Sequence, residues 1–411
     1  MAPRRAEGLV LQRDGHRGQT VLTFTLDDVR YLASPAGADA LAAVSRQPLT
    51  AASRIADVAE IRRRHGDRAP ALVETTLLRR RAIAKLPGAA GWLFTDEALQ
   101  QATPAAVARH RAARLGGRAV HDVTCSVGAD LAALRDHATV LLGSDLDPVR
   151  LAMARHNVPG AQLCRADALR PVSRDTAVVA DPARRTRGRR SVDPRGYAPP
   201  LDALLDRYRG ADLAVKCAPG LDFDRLADLG FSGEVEVTSL DGDVREACLW
   251  SGGLAGEGVR RRATVLAGDR VVEHLTDRDP DDCGVAAAGR WIVDPDGAVV
   301  RAGLVRHYGA RHGLWQLDPH IAYLSGDRLP AGVRGFEVLD ELAYSEKRLR
   351  QALAARDCGA VEILVRGVDV DPAALRPRLR VRGSAALTVV LTRIGAGAAA
   401  RATAFLCRPS R

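Results

Sequence analysis

The stretch from Val120 to Pro148 reads VHDVTCSVGADLAALRDHATVLLGSDLDP, and it decides the predicted fold. It begins with an apolar, β-leaning run that ends in a turn of small residues, Thr124 to Ala129. A helix-compatible segment, Asp130 to His137, is followed by a second apolar run that closes with two acids, Asp145 and Asp147. This order of strand, tight turn, helix, strand and carboxylate is half of a mononucleotide-binding unit, in which the acid accepts hydrogen bonds from a ribose diol.

The length and the charge of the chain limit its number of domains and the kind of partner that it can bind. The chain has 411 residues and 46% hydrophobic content, which is enough for a sizeable core and favours two or three domains. The formal net charge is +10, and arginine carries nearly all of the positive charge. Because guanidinium groups bind phosphates in bidentate fashion, this excess is compatible with a nucleic-acid partner. A solvated basic surface explains the charge equally well.

The seven cysteines form no C-x-x-C pair, so the sequence indicates neither a zinc knuckle nor a redox motif, and we assign no metal. No run approaches the ~18 continuous apolar residues of a membrane span. The N-terminal residues lack the apolar core of a secretory signal. We therefore expect a cytoplasmic protein without a membrane partner. The sequence leaves the oligomeric state open.

Strands and helices alternate over residues 118 to about 254, which predicts a parallel sheet. One of the predicted helices covers Leu221 to Leu229. The last two predicted strands, Glu234 to Ser239 and Glu246 to Trp250, are separated by only six residues, LDGDVR. So short a link cannot make a parallel crossover, and these strands must pair antiparallel. The sequence thus predicts a parallel sheet that is closed by one antiparallel hairpin strand.

The rest of the chain divides around this sheet. We predict a mainly helical N-terminal region over residues 1–100, the α/β sheet domain over 101–270 and a connector over 271–330, with a helix from Ala298 to Gly309. Residues 331–411 give the order β-α-β-α-β-β, which predicts a small α+β domain.

The central loop, DVTCSVGAD, resembles that of class I S-adenosylmethionine-dependent methyltransferases. It is most similar to the trimethylguanosine synthase branch, whose loop reads D-x-x-C-G-x-G-G-N. Asp122, Cys125 and Gly128 match this pattern, whereas Ser126 and Ala129 stand where it has glycines. The resemblance implies a Rossmann-like class I methyltransferase sheet that binds S-adenosylmethionine.

Three further motifs extend the resemblance to the cofactor's other parts. SDLDP resembles the acidic ribose-binding turn of the family, with Asp145 the first ribose ligand and Asp147 the second. Ala166-Asp167 resembles the adenine-contacting turn, and Gln101 to His110 resembles the helix that closes over the cofactor. The resemblance thereby implies a full set of cofactor-binding residues: Thr103, Asp122, Cys125, Gly128, Asp145, Asp147 and Asp167.

From about Leu72 onward the chain also resembles a bacterial family in which such a methyltransferase domain precedes a THUMP-like C-terminal domain. The segments DPARRTRGRR, VKCAPGLDF, LWQLDPHIAYLSGD and VRGVDVDP carry this resemblance. THUMP domains belong to RNA-modifying enzymes, so the resemblance implies RNA as a partner by analogy.

Asp181-Pro182-Ala183-Arg184 follows the fourth predicted strand, where amino-group methyltransferases carry (Asn/Asp/Ser)-Pro-Pro-aromatic. In that motif the acid and its neighbouring carbonyl accept hydrogen bonds from the target amine and aim its lone pair, while the ring stacks on the base. Here an arginine replaces the ring, and it can stack on a base or clamp a phosphate. Asp181, Pro182 and Arg184 are the candidate catalytic residues, and a plain strand-end turn is the alternative. The candidates for the missing ring, each of which fits a core position as well, are Trp92, Phe94 and Tyr197.

Arginines follow the candidate catalytic turn in close succession. They predict either a loop that binds substrate phosphates or a solvated basic loop. Lys216 ends the fifth predicted strand, where it either pairs with Asp181, contacts substrate, or has no special role. The candidate substrate-binding residues beyond Arg184 are Arg185, Arg187, Arg189, Arg190 and Lys216.

Four functions compete on this basis. The preferred one is an S-adenosylmethionine-dependent methyltransferase that acts on RNA, with a base amino group as one candidate target. A nicotinamide-dependent oxidoreductase shares the turn and the acid, but G-x-G-x-x-G is absent. A methyltransferase fold that has lost catalysis and only binds RNA is the third candidate, and a small-molecule methyltransferase is the fourth.

Overall fold

The computed structural model describes residues 11–13, 20–183, 185–186, 189–190, 193–395, 397 and 400–410. Side chains are described for 22–183, 193–395, 397 and 400–410. The chain forms two compact units, one of residues 1–241, 245–257 and 266–270, the other of 242–244, 258–265 and 271–411. Within the described ranges, no helix combines the length and the apolar character that a membrane crossing requires.

Helices dominate the described part of residues 1–100, as predicted. Thr25 and Ser34 accept hydrogen bonds from backbone N–H groups three residues on, so each starts a helix as an N-cap. The helices bury a common apolar core that includes Leu32, Leu72 and Phe94. The elements of this region are β1 (Leu11–Arg13), β2 (Thr20–Leu22), α1 (Leu26–Leu32), α2 (Pro35–Ser45), α3 (Arg54–His65) and α4 (Ala69–Ala82).

The α/β part follows, and its strands and helices alternate. They are α5 (Asp96–Gln101), α6 (Ala105–Arg114), β3 (Ala119–Asp122), α7 (Ala129–Leu134), β4 (Val140–Asp145), α8 (Pro148–Asn157), β5 (Gln162–Arg165), β6 (Ala177–Ala180), β7 (Arg185–Thr186), β8 (Arg189–Arg190), α9 (Leu201–Arg207), β9 (Leu213–Cys217), β10 (Glu234–Leu240), β11 (Asp243–Ser251), β12 (Arg261–Ala267) and β13 (Arg270–Thr276).

Within the described residues, nine of these strands form one sheet in the order β13-β12-β10-β11-β9-β6-β3-β4-β5. The pairs β3–β4, β3–β6, β4–β5 and β6–β9 are parallel, whereas β11 pairs antiparallel with β9. A two-residue turn, Asp241-Gly242, joins β10 to β11, and both residues have positive φ, as tight hairpin turns require. The predicted parallel sheet with an antiparallel closing hairpin is confirmed.

The predicted helix over Leu221–Leu229 is wrong. The structure has only one 3₁₀ turn there, Ala227–Leu229. The carboxylate of Asp222 accepts a hydrogen bond from the backbone N–H of Asp224 at 3.2 Å. This local turn competes with the first turn of a helix, because the side chain bonds a backbone donor of its own segment.

The second unit contains β14 (Trp291–Val293), α10 (Gly297–Ala302), α11 (Val305–His312), β15 (Trp315–Gln316), β16 (Leu324–Gly326), β17 (Gly335–Ala343), α12 (Glu346–Ala354), β18 (Cys358–Arg366), α13 (Pro372–Leu379), β19 (Ala385–Ile394) and β20 (Arg401–Pro409). The predicted order β-α-β-α-β-β from β17 to β20 is confirmed. In the described residues, seven strands form one sheet in the order β15-β16-β14-β17-β20-β19-β18. Strands β14 to β16, from the segment predicted as a connector, therefore share this sheet.

Candidate active site

A cavity of about 420 Å³ lies where β3, β4, β5 and β6 end, at the carboxyl edge of the parallel sheet. Ligands of open α/β sheets bind at this edge, because the strand-to-helix loops converge there. The loops after all four strands contribute to the wall, and the end of α5 contributes as well. Six of the predicted site residues line the cavity: Thr103, Asp122, Cys125, Asp145, Asp167 and Asp181.

The loop after β3 is tied to the loop after β6 by Thr124. The hydroxyl of Thr124 accepts a hydrogen bond from the backbone N–H of Asp181 at 2.7 Å, and Thr124 Oγ1 lies 3.5 Å from Asp122 Oδ1. The same Asp122 oxygen accepts from the backbone N–H of Thr124 at 3.0 Å. Thr124 was missed by sequence reasoning, although it lies inside the motif, because its partner is distant in the chain.

The turn itself contains two residues with positive φ. Gly128 has φ 88°, and a Cβ there would lie 2.9 Å from Cγ2 of Val158, so the position requires glycine. Ser126 has φ 50°, and its backbone N–H donates to Asp145 Oδ2 at 3.0 Å. Gly128 is not part of the cavity wall, whereas Ser126 is. Burial raises the pKa of the Cys125 thiol well above its usual value, so this side chain is a neutral part of the wall.

The acids after β4 and β5 have different surroundings. Asp145 and Asp167 line the cavity, and each also accepts from a backbone N–H of its own turn, that of Asp147 at 2.8 Å and that of Leu169 at 2.9 Å. Asp147 does not line the cavity. Its carboxylate caps α8 by accepting from the backbone N–H of Val149 at 2.8 Å.

Thr103 follows the end of α5 and is only 3% exposed. Its hydroxyl has no hydrogen-bond partner among the described residues, although it lies at the cavity. Ala98, Gln101 and Ala102 line the cavity beside it. A buried hydroxyl normally has a partner, so this one points to a ligand group in the cavity.

Asp181 lies at the end of β6 and lines the cavity, whereas neighbouring Pro182 is buried outside the wall. The carboxylate of Asp181 is paired through Oδ2 with Nζ of Lys216, at 2.5 Å. Lys216 is the residue before the last of β9, is 7% exposed and does not line the cavity itself. The pairing of Lys216 with Asp181 was one of the alternatives that the sequence left open.

The arginine-rich segment after Asp181 is only partly described. Arg184 and Arg187 lie outside the described residues, and so do the side chains of Arg185, Arg189 and Arg190, whose backbone forms the β7–β8 hairpin. At the base of this segment, Ala183 and Ala198 exchange backbone hydrogen bonds of 2.9 Å.

Of the three candidates for the stacking ring, the structure brings Tyr197 to the cavity. Trp92 and Phe94 pack instead with the helical core of the N-terminal region.

A network of buried charges lies behind the cavity wall. Arg111 of α6 donates to Asp130 at 2.6 Å and to both oxygens of Glu246, at 2.5 and 2.6 Å. Burial raises the pKa of Asp122 well above its usual range, and the nearby charge of Asp130 adds to this effect. The sequence analysis did not identify Arg111 or Glu246, because neither belongs to a motif and they lie 135 residues apart.

The family model that describes a THUMP domain-like region matches residues 333–409, and a model described as a domain of unknown function matches residues 25–82. An uncharacterized S-adenosylmethionine-dependent methyltransferase of Mycobacterium tuberculosis, from strains CDC 1551 / Oshkosh and ATCC 25618 / H37Rv, is 66% identical over 361 residues. This match covers 85% of the chain and 100% of the relative.

The crystal structure of a proposed methyltransferase from Porphyromonas gingivalis W83 has a TM-score of 0.70. It is 18% identical, and the match covers 95% of this chain and 100% of that one, so it shows that the two chains share a fold. The chain belongs to the family of S-adenosylmethionine-dependent methyltransferases, with a THUMP-like domain at its C-terminal end.

Proposed function

We propose that the chain transfers a methyl group from S-adenosylmethionine to RNA, and that the acceptor is an amino group of a base. One observation carries the proposal. Asp181, at the position of the catalytic acid, shares a single cavity with Asp145, Asp167 and the hydroxyl of Thr103, which has no partner among the described residues.

The residues around the cavity fit the cofactor chemically. Carboxyl groups line it at five positions, and those that are ionised attract the sulfonium and ammonium groups of S-adenosylmethionine. We assign the ribose hydroxyls to Asp145, the adenine amino group to Asp167 and a polar atom of the cofactor to Thr103. The five carboxyl groups belong to Asp122, Asp130, Asp145, Asp167 and Asp181.

Asp145, Asp167 and Thr103 would hold S-adenosylmethionine, which would supply an electrophilic methyl group; the methyl group would leave its sulfur for the lone pair of the acceptor nitrogen. Asp181 would accept a hydrogen bond from the acceptor N–H and orient that lone pair. The proton that the nitrogen loses would pass to the Asp181 carboxylate and from there to solvent. We assign the stacking on the base to Tyr197, which lines the cavity, because Arg184 stands where related enzymes carry the aromatic ring.

Support for RNA as the substrate comes from charge and from the C-terminal domain. The net charge is +10, and five arginines lie within the seven residues that follow Ala183. Phosphate contacts from such side chains supply much of the affinity for nucleic acids. The match to a THUMP domain-like model adds the analogy with RNA-modifying enzymes.

The first test is calorimetric titration of the full chain with S-adenosylmethionine, with NADH as the control ligand. We expect binding of the methyl donor alone. The substitution Asp145→Ala should weaken it by about 1–3 kcal/mol, because the ribose hydroxyls lose their acceptor. Unchanged affinity in that variant would exclude Asp145 as the ribose ligand.

The second test follows tritiated methyl groups from S-adenosylmethionine into total bacterial RNA. We expect transfer by the wild-type chain, and none by Asp181→Asn at unchanged cofactor affinity. Binding of cofactor and RNA without transfer would favour a catalytically inactive RNA-binding protein. Label that appears only in small molecules of a cell extract would favour a small-molecule methyltransferase.

A further inference from the structure

Lys216 is a buried ammonium group with two oxygen partners from different parts of the site. Its Nζ lies 2.5 Å from Oδ2 of Asp181 and donates to the backbone carbonyl of Gln101 at 3.3 Å. Asp181 belongs to the loop after β6, whereas Gln101 is the last residue of α5. One side chain therefore connects the candidate catalytic carboxylate to the segment that carries Thr103.

Charged groups surround Lys216 on several sides. Burial alone would lower the pKa of Lys216, but Asp181, Asp130 and Glu246 outweigh it and raise that pKa, while Arg111 opposes them. Lys85 is the other lysine nearby, and its pKa is lowered to about 8 by burial and by the charge of Lys216. Lys216 is thus held as a cation in the interior by carboxylates, as a buried ammonium requires.

The end of α5 depends on both lysines. Nζ of Lys85 donates to the carbonyls of Leu99 and Gln100, at 3.1 and 2.9 Å, and Nζ of Lys216 donates to that of Gln101. Carbonyls at a helix C-terminus carry partial negative charge and lack intrahelical donors, so cations stabilise them. Lys85 supplies two of these three hydrogen bonds at the end of α5, and Lys216 supplies the third.

We propose that Lys216 is a positioning residue, which orients the Asp181 carboxylate toward the methyl acceptor and fixes it relative to the end of α5. This inference rests on the proposed function. Lys216 occupies Oδ2 of Asp181, whereas Oδ1 has no hydrogen-bond partner among the described residues. The free carboxylate oxygen accepts hydrogen bonds, which selects a methyl acceptor that donates one. Lys216 acts through Asp181 and does not contact the substrate, because it lies outside the cavity wall.

The pairing can be tested without any substrate, because the chain has only three lysines, Lys85, Lys216 and Lys347. Full-length protein labelled with ¹³C at lysine gives one side-chain NMR signal for each of the three lysines. Replacing each lysine by arginine in turn assigns these signals. An ordinary lysine titrates at about 10.4, and the pKa of Lys216 is raised above that value. At about pH 9.5 we therefore expect the wild-type Lys216 signal to stay at its protonated position. In Asp181→Asn that signal should move toward the deprotonated position while exposed Lys347 is unaffected. A Lys216 signal that is identical in both proteins would overturn the proposal.

The positioning role is tested with Lys216→Met, with Lys216→Arg as the charge-conserving variant and Lys347→Met as the control. We expect Lys216→Met to bind S-adenosylmethionine within about threefold of wild type. Its kcat for transfer to total RNA should fall at least about tenfold, which is the effect expected when one hydrogen bond to a charged group is lost.

Lys216→Arg should recover much of the rate, and Lys347→Met should match wild type. A lower rate in Lys216→Met that Lys216→Arg does not recover would reduce Lys216 to a structural residue and contradict the proposal. If the wild-type chain neither binds S-adenosylmethionine nor methylates RNA, the proposed function fails. The lysine spectra then still decide whether Lys216 holds Asp181.

Discussion

At the scale of single residues, Thr124 is the link between the two loops that shape the cavity. Its hydroxyl accepts from the backbone N–H of Asp181, and the loop that contains it also holds Asp122. Because the hydroxyl is the only described acceptor for that N–H, the direction of the Asp181 backbone depends on Thr124. The candidate catalytic acid is therefore positioned from both sides, by Thr124 at its backbone and by Lys216 at its side chain.

We expect Thr124→Val to lower the free energy of unfolding by about 1–3 kcal/mol, since the isosteric side chain leaves the N–H of Asp181 without its acceptor. Urea denaturation of the full chain measures this difference. Thr124→Ser is the matched control, because it keeps the hydroxyl and should lose less than half as much. Equal losses in the two variants would show that the methyl group of Thr124 matters and the hydrogen bond does not.

The residues of the site were predictable where they belong to a local motif. Asp122 and Asp145 end their strands, and Asp167 and Asp181 come just after theirs, so all four lie at the carboxyl edge of the sheet. Residues whose role depends on distant partners were not predictable. Nothing local distinguishes Tyr197, at the cavity, from Trp92, which packs in the helical core, because the fold decides which ring reaches the site.

At the scale of elements, the predicted helix over Ala298–Gly309 is in fact two helices, α10 and α11. The break falls at Gly303, which has φ 76° and ends α10 in the left-handed conformation. Apolar periodicity continues through the break, and for that reason the pattern alone predicts one helix. Glycine after a helical segment is a stop signal, and here it outweighs periodicity.

This break gives a prediction for stability. Gly303→Ala should lower the free energy of unfolding by about 1–2 kcal/mol, because an alanine in the left-handed region is strained although its Cβ would meet no atom within 4 Å. Thermal or urea unfolding measures this loss in the free energy of unfolding. Gly284→Ala is the control, since its Cβ would also lie in open space but its φ is not in that region. A Gly303→Ala protein as stable as this control would contradict the assigned conformation.

Strands were predicted better than helices in this chain, for a physical reason. Buried parallel strands such as β6 and β9 are continuous apolar runs, which have few alternatives. Short helical segments compete with turns that side chains stabilise locally, as Asp222 does within the mispredicted helix at Leu221–Leu229.

At the scale of the whole molecule, one buried charge network connects helices to the sheet. Arg111 of α6 is 4% exposed and bonds Asp130 of α7 and Glu246 of β11. In the sequence, α6 and α7 come before the candidate catalytic residue Asp181, and β11 comes after it. Buried pairs of this kind add little net stability when complete, but removing one partner leaves uncompensated charge.

We therefore expect Arg111→Met to lower the free energy of unfolding by about 3–5 kcal/mol, because two carboxylates lose their cation. Arg109→Met is the matched control on the same helix. Arg109 pairs with Asp269 at the surface, where an ion pair contributes only about 0–1 kcal/mol. Urea unfolding of both variants makes the comparison, and similar losses would show that the Arg111 network is not the stabilising feature.

The protonation of one cavity acid also makes the heat of ligand binding depend on the buffer. Burial and Asp130 raise the pKa of Asp122, so this carboxyl group retains a proton at a pH where most aspartates have lost theirs. A cation that enters the cavity favours the charged carboxylate and thereby expels that proton. The heat of binding should then differ between Tris and phosphate, because the two buffers take up a released proton with different enthalpies. Calorimetry in both would count the protons that the site exchanges for its ligand.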